Sequence, residues 1–281
     1  MIRTGHMNTL EVFRQIRGGW ELRDEKERIV LPTDHAPWDL EVGAEIEVFV
    51  YTDTHDQRVA TTQKPLGLVG DIVSLEVVDL AGPGAFCEWG LDKDLLIPHS
   101  QMHTPLHVGD TVVVAITLDA QGRIMGESWL GEHFHTDTRD LAIGQPVKLL
   151  VYGYAERGIL VVVEGRWAGM LFYDQTHQDL AIGESVGGFI DVIRDDGRLD
   201  ISLEPPRDKR ERITDEVTQL AAEIALRGGF LGLTDKSDPN DIRRELRMSK
   251  KAFKRAVGGL YKAHKIAIEA NGLRWVDDDA P

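Results

Sequence analysis

One short pattern occurs three times in this chain of 281 residues. The copies are LEVGAEIEVFVYTDTHDQRVATTQKP at 40–65, LHVGDTVVVAITLDAQGRIMGESWL at 106–130 and LAIGESVGGFIDVIRDDGRLDISLEP at 180–205. In each copy a glycine precedes a strand-like run, and a polar turn then leads to an arginine and a second short run; the aligned arginines are Arg58, Arg123 and Arg198. The Gln-Gly and Asp-Gly steps suit tight turns, because glycine accepts positive φ without steric cost. Each copy therefore predicts a β-hairpin that closes a structural unit.

The spacing of the repeat sets the size of that unit. The turn glycines Gly43, Gly109 and Gly183 stand 66 and 74 residues apart, and further strand-like segments precede each hairpin. Five short strands in about 65 residues is the scale of a small Greek-key barrel of the OB-fold type. The predicted fold is therefore mainly β plus α, with three tandem five-stranded barrels followed by a different domain. The predicted barrel boundaries are 1–66, 67–132 and 141–206.

Residues 207–281 change to a helical pattern. Three helices are predicted, at 214–226, from 239 onward and at 249–265. Asp238 and Ser249 are typical N-cap residues for the second and third helices. A strand pair follows, in which the Asn271-Gly272 step suits a type I′ turn. Three helices and a hairpin form the order of a winged-helix domain.

Longer segments of the chain carry a family resemblance. The segment GPGAFCEWGLDKDLLIPHSQM, followed by the closing hairpin, resembles an S1-type RNA-binding OB domain. The order of segments along nearly the whole chain, including IDVIRDDGRLDISLEP and SKKAFKRAVGGLYKAHKI, is similar to the conserved virulence factor B family (CvfB, YitL-like). This resemblance implies three S1-type domains, a C-terminal winged helix, RNA binding and a regulatory role in bacteria.

The second barrel has the clearest candidate binding face. Side-chain alternation along its strand GAFCE directs Ala85 and Cys87 to one face and Phe86 to the other. If the two small residues face the core, Phe86 is exposed and offers a platform on which a base can stack. The alternative is that a neighbouring domain covers Phe86, because tandem domains must dock somewhere. The S1 resemblance implies that Asp119 and Arg123 flank the same face.

The other two barrels depart from the S1 pattern. In the third, Leu160 stands where the stacking phenylalanine is expected, and Trp167, Phe172 and Tyr173 are candidates to replace that ring. Phe172 takes the position usually held by histidine in the S1 pattern, and Arg198 is the hairpin arginine of this barrel. In the first barrel, acidic residues beside the candidate ring would repel phosphate. The first, degenerate barrel is therefore predicted to be structural more than binding.

The charge of the chain is strongly segregated. The net charge is −15, which argues against nucleic acid, because phosphate binding is driven largely by clustered Lys and Arg. Residues 242–265 nevertheless carry nine basic side chains and one acidic side chain, a net charge of +8. This asymmetry predicts one basic working surface on an acidic body.

A helical wheel places most cations of the third helix opposite its apolar stripe. The predicted buried stripe consists of Phe253, Val257, Leu260 and His264. The candidate nucleic-acid contacts on the other side are Lys251, Lys254, Arg255, Gly258, Lys262 and Lys265, and Lys250 near the start of the helix is a further candidate. Gly258 lies among these cations, where a missing side chain would let a sugar-phosphate backbone approach closely. The alternative interpretation is an ordinary solvated helix face.

Other function classes find little support in the sequence. No apolar run is long enough to span a bilayer and no signal-peptide pattern is present, so we expect a cytoplasmic protein. Cys87 is the only cysteine, which rules out an internal disulfide. His99, His103 and His107 recur every four residues, but Pro105 would interrupt a helix that aligned them. No Walker, nucleophile-elbow or dinucleotide motif occurs. We therefore expect no enzymatic activity, no cofactor and no metal.

The sequence thus favours a non-catalytic protein that binds single-stranded RNA and acts in post-transcriptional or translation-linked regulation. One alternative is a DNA-binding transcription regulator that inserts its third helix into a major groove. A second alternative is an adaptor whose acidic barrels dock on a basic partner such as a ribosomal surface. Three barrels favour single-stranded RNA, whereas a dimeric module with an effector pocket would favour DNA.

Overall fold

The computed structural model describes residues 1–173, 176, 179–205 and 209–276, except for the side chains of 209–213. The chain divides into two compact units, residues 1–204 and residues 205–281. The first unit holds three five-stranded β-barrels, and the second holds helices and a small sheet. The predicted fold class, three tandem OB-type barrels followed by a winged helix, is confirmed.

The three barrels share one strand arrangement. Barrel 1 consists of β1 (Met7–Ile16), β2 (Gly19–Arg23), β3 (Arg28–Pro32), β4 (Glu45–Thr52) and β5 (Arg58–Thr61), closed in the order β1-β2-β3-β5-β4. Barrel 2 consists of β6 (Ile72–Ala81), β7 (Gly84–Glu88), β8 (Leu95–Pro98), β9 (Thr111–Leu118) and β10 (Ile124–Glu127), in the order β10-β9-β6-β7-β8. Barrel 3 consists of β11 (Pro146–Ala155), β12 (Gly158–Val163), β13 (Trp167–Phe172), β14 (Ser185–Ile193) and β15 (Leu199–Ser202), closed in the order β11-β12-β13-β15-β14. In barrel 2 the end strands meet through side chains, since a Cβ on Gly126 would lie 3.0 Å from Ile97.

A bulged first strand recurs in all three barrels. Its pairing with the second strand shifts register just after Val12, Val77 and Val151, which are fully buried. The backbone N–H groups of Gly43, Gly109 and Gly183 donate to the carbonyls of these valines at 2.8 Å. The three glycines have φ values of 91°, 89° and 85°, which glycine adopts without strain. The repeated sequence pattern therefore encodes the turn that ties the first strand of each barrel to the fourth.

The hairpin turns correct one part of the sequence alignment. The residue with positive φ in each turn is Asp56, Gly122 or Gly197. The arginines of barrels 2 and 3 follow this residue directly, so their counterpart in barrel 1 is Gln57. The alignment of Arg58 with those arginines was wrong by one position, since Arg58 begins β5 and donates to the Ile2 carbonyl at 2.8 Å. The turn was misread because an aspartate takes the left-handed conformation that glycine marks elsewhere.

Neighbouring barrels pack through the outward faces of their strands. β4 places Val48 and Val50 inside barrel 1, while Phe49 and Tyr51 on its other face join the core of barrel 2. The Phe49 ring meets the Trp89 ring edge-on, with centroids 5.8 Å apart. Outward residues of β9 and β12 likewise share an apolar cluster between barrels 2 and 3. The barrels of the first unit are therefore held by continuous apolar packing rather than joined by free linkers.

The second unit has the winged-helix order. Its elements are α1 (Lys209–Leu226), β16 (Phe230–Leu231), α2 (Pro239–Leu246), α3 (Lys250–Lys262), β17 (Ile266–Glu269) and β18 (Gly272–Trp275), with the strands ordered β16-β18-β17. Asp238 caps α2 by accepting the Asn240 N–H, and Ser249 caps α3 by accepting the Ala252 N–H. Both predicted caps are confirmed. α1 begins at residue 209, earlier than the predicted residue 214.

Two details of the winged helix differ from the sequence prediction. α3 ends at Lys262, because His264 adopts φ of 59° and its N–H and that of Lys265 bond back to Tyr261 and Leu260. This is a Schellman motif with histidine at the position where glycine is usual. The sequence therefore has no glycine that would mark the end of the helix. His264 is exposed and not part of the buried stripe.

The wing hairpin also turns differently from the prediction. Glu269 pairs with Gly272, which leaves Ala270 and Asn271 as the connecting residues. Asn271 and Gly272 do not have positive φ, so the predicted type I′ turn at this step was wrong. Glycine is required at position 272 for a different reason, because a Cβ there would lie 2.4 Å from the Leu231 carbonyl oxygen on β16.

Candidate nucleic-acid interface

Phe86 lies on the outer face of β7. Its neighbours Ala85 and Cys87 are fully buried in the barrel core, whereas Phe86 is half-buried and pairs across the sheet with Asp79 and Leu96. Burial raises the pKa of the Cys87 thiol to about 12, as expected for a core position. The alternation along this strand is therefore as the sequence predicts, and the ring of Phe86 remains partly open.

Asp119 and Arg123 lock the β9–β10 turn. Asp119 Oδ1 accepts the backbone N–H groups of Gln121 and Arg123 at 2.9 Å, and Oδ2 accepts Arg123 Nε at 2.7 Å. Burial raises the pKa of Asp119, but these hydrogen bonds outweigh burial and leave the pKa below its ordinary value. Asp119 is thus committed to the turn, while about half of the Arg123 side chain stays exposed.

The corresponding turn of barrel 3 has different side-chain contacts. Arg194 stands where barrel 2 has Asp119, since its N–H bonds to the Arg198 carbonyl as Asp119 does with Arg123. The guanidinium of Arg194 forms a bidentate pair with Asp200 at 2.7 and 3.1 Å. Its Cζ lies 5.9 Å from the centre of the Phe172 ring. Sequence analysis missed Arg194 because only the arginine after the turn was considered.

The remaining candidates of barrel 3 differ in exposure and in their partners. Arg198 is widely exposed and pairs loosely with Asp196 at 3.7 Å. Trp167 is half-buried, and its indole N–H donates to the Asp137 carbonyl at 2.9 Å. Tyr173 is exposed at the end of β13. Trp167 and Tyr173 therefore have surroundings different from those of Phe172, which lies beside Arg194.

A groove of about 1090 Å³ lies between barrels 2 and 3. Phe172, Arg194 and Arg198 line it from barrel 3, and Trp129 and His103 line it from the region around barrel 2. Phe86, Asp119 and Arg123 lie outside this groove, as do Trp167 and Tyr173. Among the described barrel residues that the sequence predicts as contacts, Phe172 and Arg198 are the two that line this groove. Trp129 was missed because it follows the closing hairpin, where the sequence pattern carries no information on exposure.

The cations of α3 fall into two groups. Arg255 forms a bidentate pair with Glu216 at 2.5 and 3.0 Å, which raises the pKa of its guanidinium, and Lys250 Nζ donates to the Ser237 carbonyl at 2.9 Å. Exposed cations with no ion-pair or hydrogen-bond partner in the described part of the chain are Lys251, Lys254 and Lys262. These three are free to contact phosphate.

The surface around Gly258 is open. A Cβ at Gly258 would meet nothing within 4 Å, whereas one at Gly259 would lie 2.6 Å from Val217 on α1. Lys250, Lys251, Lys254 and Arg255 line a shallow depression of about 450 Å³ on the same helix. The two neighbouring glycines therefore differ in role, since Gly259 lets α1 and α3 approach and Gly258 faces free space.

Among the cations that the sequence predicts on the third helix, Lys265 lies beyond the end of α3. Its Nζ sits 5.9 Å from the centre of the Trp275 ring on β18, which anchors it to the wing sheet. Its wheel position was therefore wrong, because the helix ends before it. Lys265 is exposed and remains a candidate contact at the edge of the basic surface.

The histidine series does not form a metal site. His103 stacks on Trp129 and His107 lies 3.3 Å from Asp110, so the two side chains have separate partners. Within the described ranges, no group of three or more His, Cys, Asp or Glu residues could hold a metal ion. Among the described helices, none is long and apolar enough to cross a membrane.

Comparisons with known proteins agree with this architecture. The family model of a CvfB-like winged helix domain matches residues 218–274, and the S1 domain model matches residues 4–63 and 69–126. The chain is 28% identical to the uncharacterized protein YitL of Bacillus subtilis, over 98% of this chain and 94% of that one. It is 27% identical to conserved virulence factor B of Staphylococcus aureus, over 84% of this chain and 80% of that one.

A solved multidomain protein with nucleic acid binding domains from Streptococcus pneumoniae is also similar. It is 22% identical and matches 97% of this chain and 98% of its own, with a TM-score of 0.43. The family resemblance seen in the sequence is confirmed by the matched domains and by relatives that extend over most of the chain. S1 and winged-helix domains are nucleic-acid-binding types, so the chain is built from nucleic-acid-binding domains.

Proposed function

We propose that this chain, which carries S1 domains and a CvfB-like winged helix domain, is a non-catalytic protein that binds single-stranded RNA. In this proposal the barrel faces stack on bases and the basic surface of α3 contacts phosphates. The protein acts in the cytoplasm as a regulator of gene expression after transcription. The matched domain families bind nucleic acid and are not enzyme families, which supports a binding role.

The observation that carries the proposal is the position of Phe86. The ring stands on the outer face of an S1-type barrel, partly open, between two core residues that are fully buried. Nothing in the core of barrel 2 requires an aromatic ring at that position, because Phe86 is not part of the core cluster. Stacking of a base on such a ring is worth about 1 to 3 kcal/mol and needs an unpaired, accessible base. Single-stranded RNA offers such bases, whereas duplex DNA keeps them stacked inside the helix.

A competition measurement tests the proposal. The full chain is first bound to a labelled single-stranded RNA, and unlabelled single-stranded RNA or random duplex DNA is then added at matched salt. Matched salt is essential, because phosphate contacts make every affinity depend on ionic strength. We expect single-stranded RNA to displace the label at much lower concentration than duplex DNA.

The DNA-binding alternative has one specific observation in its favour. α3 is the third helix of a winged-helix domain, and its unpaired lysines with the open Gly258 would suit a major groove. A strong preference for one duplex DNA sequence in the same measurement would support this alternative and overturn the RNA proposal.

A further inference from the structure

We propose that the groove between barrels 2 and 3 is a second binding site for single-stranded RNA, in which a base stacks on Trp129. The groove has a volume of about 1090 Å³, just above the range of about 300 to 1,000 Å³ that small-molecule pockets occupy. Its size therefore suits several nucleotides of a chain better than one small ligand. This inference rests on the proposed RNA-binding function and assigns it a site away from Phe86.

Trp129 stacks on His103 at one wall of the groove, and this stacked pair forms the platform. Their ring centres are 4.5 Å apart with an interplanar angle of 25°, and Trp129 is 54% exposed. The His103 N–H donates to Ser128 Oγ at 2.8 Å, and the Ser128 N–H donates to the Gln101 carbonyl at 3.0 Å. These bonds hold the two ring-bearing segments together, so the platform is built before any ligand arrives. A large exposed indole that is held in place is the kind of surface on which bases stack.

Barrel 3 supplies aromatic rings on the other wall. Tyr154 is 54% exposed, and its hydroxyl donates to the Leu180 carbonyl at 2.8 Å, which fixes the ring at the surface. Phe172 is half-buried beside Arg194. Both residues line the groove with Trp129 and His103. A strand of nucleotides lying in the groove would therefore meet rings from both sides.

The charges of the groove suit a base-reading site rather than a purely electrostatic one. Arg157, Arg194 and Arg198 line it together with Asp110, Asp196 and Asp200. Arg194 is paired with Asp200, Arg198 is held only loosely, and Arg157 has no ion-pair partner within the described residues. Two loosely held arginines are thus available for phosphates, and the aspartates can accept hydrogen bonds from base amino groups.

The walls of the groove are fixed by the barrel contact beneath them. One buried cluster consists of Val113 and Ala115 of β9, Leu130 after the end of β10 and Val162 of β12, with Phe134 and Tyr152 packed against it. Gly183 adds a close approach, because a Cβ there would lie 2.4 Å from Thr111. Since barrels 2 and 3 are packed in this way, little conformational entropy is lost when a ligand enters.

The test uses the full chain and a labelled oligouridylate, with affinity measured by fluorescence anisotropy. We expect Trp129→Ala to weaken binding by about 5- to 150-fold, the range expected for loss of one stacked base. The matched control is Trp38→Ala, since Trp38 is 96% exposed and lies outside the groove. The control should bind as the parent does.

Two substitutions of opposite charge at Met170 distinguish a loss of binding from a loss of folding. Met170 lines the groove on β13, half-buried and paired with Leu160 and Asp200. For a single strand, each phosphate contact changes the slope of log affinity against log salt by about 0.7. At 0.1 M salt, gaining or losing one such contact therefore changes the affinity by about fivefold. We therefore expect Met170→Lys to strengthen binding about fivefold and Met170→Glu to weaken it about fivefold. A general loss of structure would weaken both variants alike.

The outcomes separate this inference from the function on which it rests. If the parent fails to bind oligouridylate, the proposed function fails and the groove site fails with it. If the parent binds and Phe86→Ala weakens it, while the Trp129 and both Met170 variants bind as the parent does, the groove inference alone is overturned. Crosslinking of 4-thiouridine RNA to peptides that contain residues 103 or 129 would support it. Crosslinks confined to other segments would overturn it.

Discussion

The barrels and the winged helix contain the same number of basic side chains but very different surroundings for them. Residues 1–204 carry 16 basic and 34 acidic side chains, whereas residues 205–281 carry 16 basic and 13 acidic side chains. In the barrels, Arg23, Arg123 and Arg194 are each paired with a carboxylate at 2.7 Å. On α3, Lys251, Lys254 and Lys262 have no such partner in the described part of the chain.

This difference separates two kinds of recognition. Paired arginines are already neutralised, so the barrels must gain most of their affinity from exposed rings, whose stacking depends weakly on salt. Unpaired lysines release counterions when they meet phosphates, so α3 should carry most of the salt dependence. The two units should therefore respond differently to mutation.

The largest effect is expected from removing the free lysines of α3. Changing Lys251, Lys254 and Lys262 together to Ala should flatten the slope of log affinity against log salt by about two units, at roughly 0.7 per phosphate contact. At 0.1 M salt this corresponds to about a hundredfold weaker binding for every sequence tested. Binding isotherms at four or more salt concentrations measure the slope, and thermal unfolding should change little because all three side chains are exposed.

Gly258→Glu gives the same contrast without removing a lysine. It places a carboxylate in the open space where the sugar-phosphate backbone would pass. Unchanged binding by this variant and by the triple variant would mean that the basic surface of α3 is only a solvated face. The barrels alone would then carry the function.

An intermediate effect is expected at the barrel face. Phe86→Ala should weaken single-stranded RNA binding by about 1 to 3 kcal/mol, which is about 5- to 150-fold, and leave the salt slope unchanged. The fold should persist, because Phe86 lies outside the core cluster of barrel 2. Val78→Ala is the matched control, since Val78 is an exposed apolar residue on the neighbouring strand β6. Equal binding by the Phe86 variant and this control would remove Phe86 from the site.

The smallest binding effect is expected at Arg255. Because its guanidinium is held by Glu216, Arg255→Ala should leave the salt slope within measurement error of the parent. The free energy of unfolding should instead fall by about 1 kcal/mol, as expected for a well-formed and partly exposed ion pair. Chemical denaturation measures the loss. A salt slope that flattens by about 0.7 would show that the guanidinium leaves Glu216 and binds a phosphate. Ion pairing in the free protein would then not distinguish cations that contact RNA from cations that do not.

Much of the architecture could be read from local sequence patterns. Strand alternation places Ala85 and Cys87 in the core and Phe86 outside, and the structure agrees. The caps Asp238 and Ser249 also lie where their side-chain chemistry predicts. These features depend on a few neighbouring residues, so a single sequence is enough to find them.

The errors arose where an unusual residue took a familiar role. Asp56 and His264 adopt left-handed conformations that glycine usually marks, so the turn of barrel 1 and the end of α3 were each misplaced. The role of Lys265 changed with the end of α3, since a wheel applies only while the helix continues. The same sequence pattern also gave no indication that Arg255 and Lys250 already have partners.

Continuous apolar runs show most clearly where local information stops. IEVFVY and TVVVAI break the alternation expected of a strand with one wet face, which indicates burial on both sides. The runs do not say what covers the second face. The structure assigns Phe49 and Tyr51 to the core of barrel 2, and Val113 and Ala115 to the contact with barrel 3.

The bulged valines, turn glycines and helix caps were decided by the chain itself, because each depends on backbone geometry within a few residues. The open ring of Phe86, the platform of Trp129 and His103 and the unpaired state of Lys251 were decided only in the tertiary structure. Exposure and ion pairing depend on which distant segment arrives nearby, as Glu216 reaches Arg255 from 39 residues away. The residue pattern of one strand or helix carries no information about such distant neighbours. The fold was therefore predictable from the sequence, while the binding surface was not.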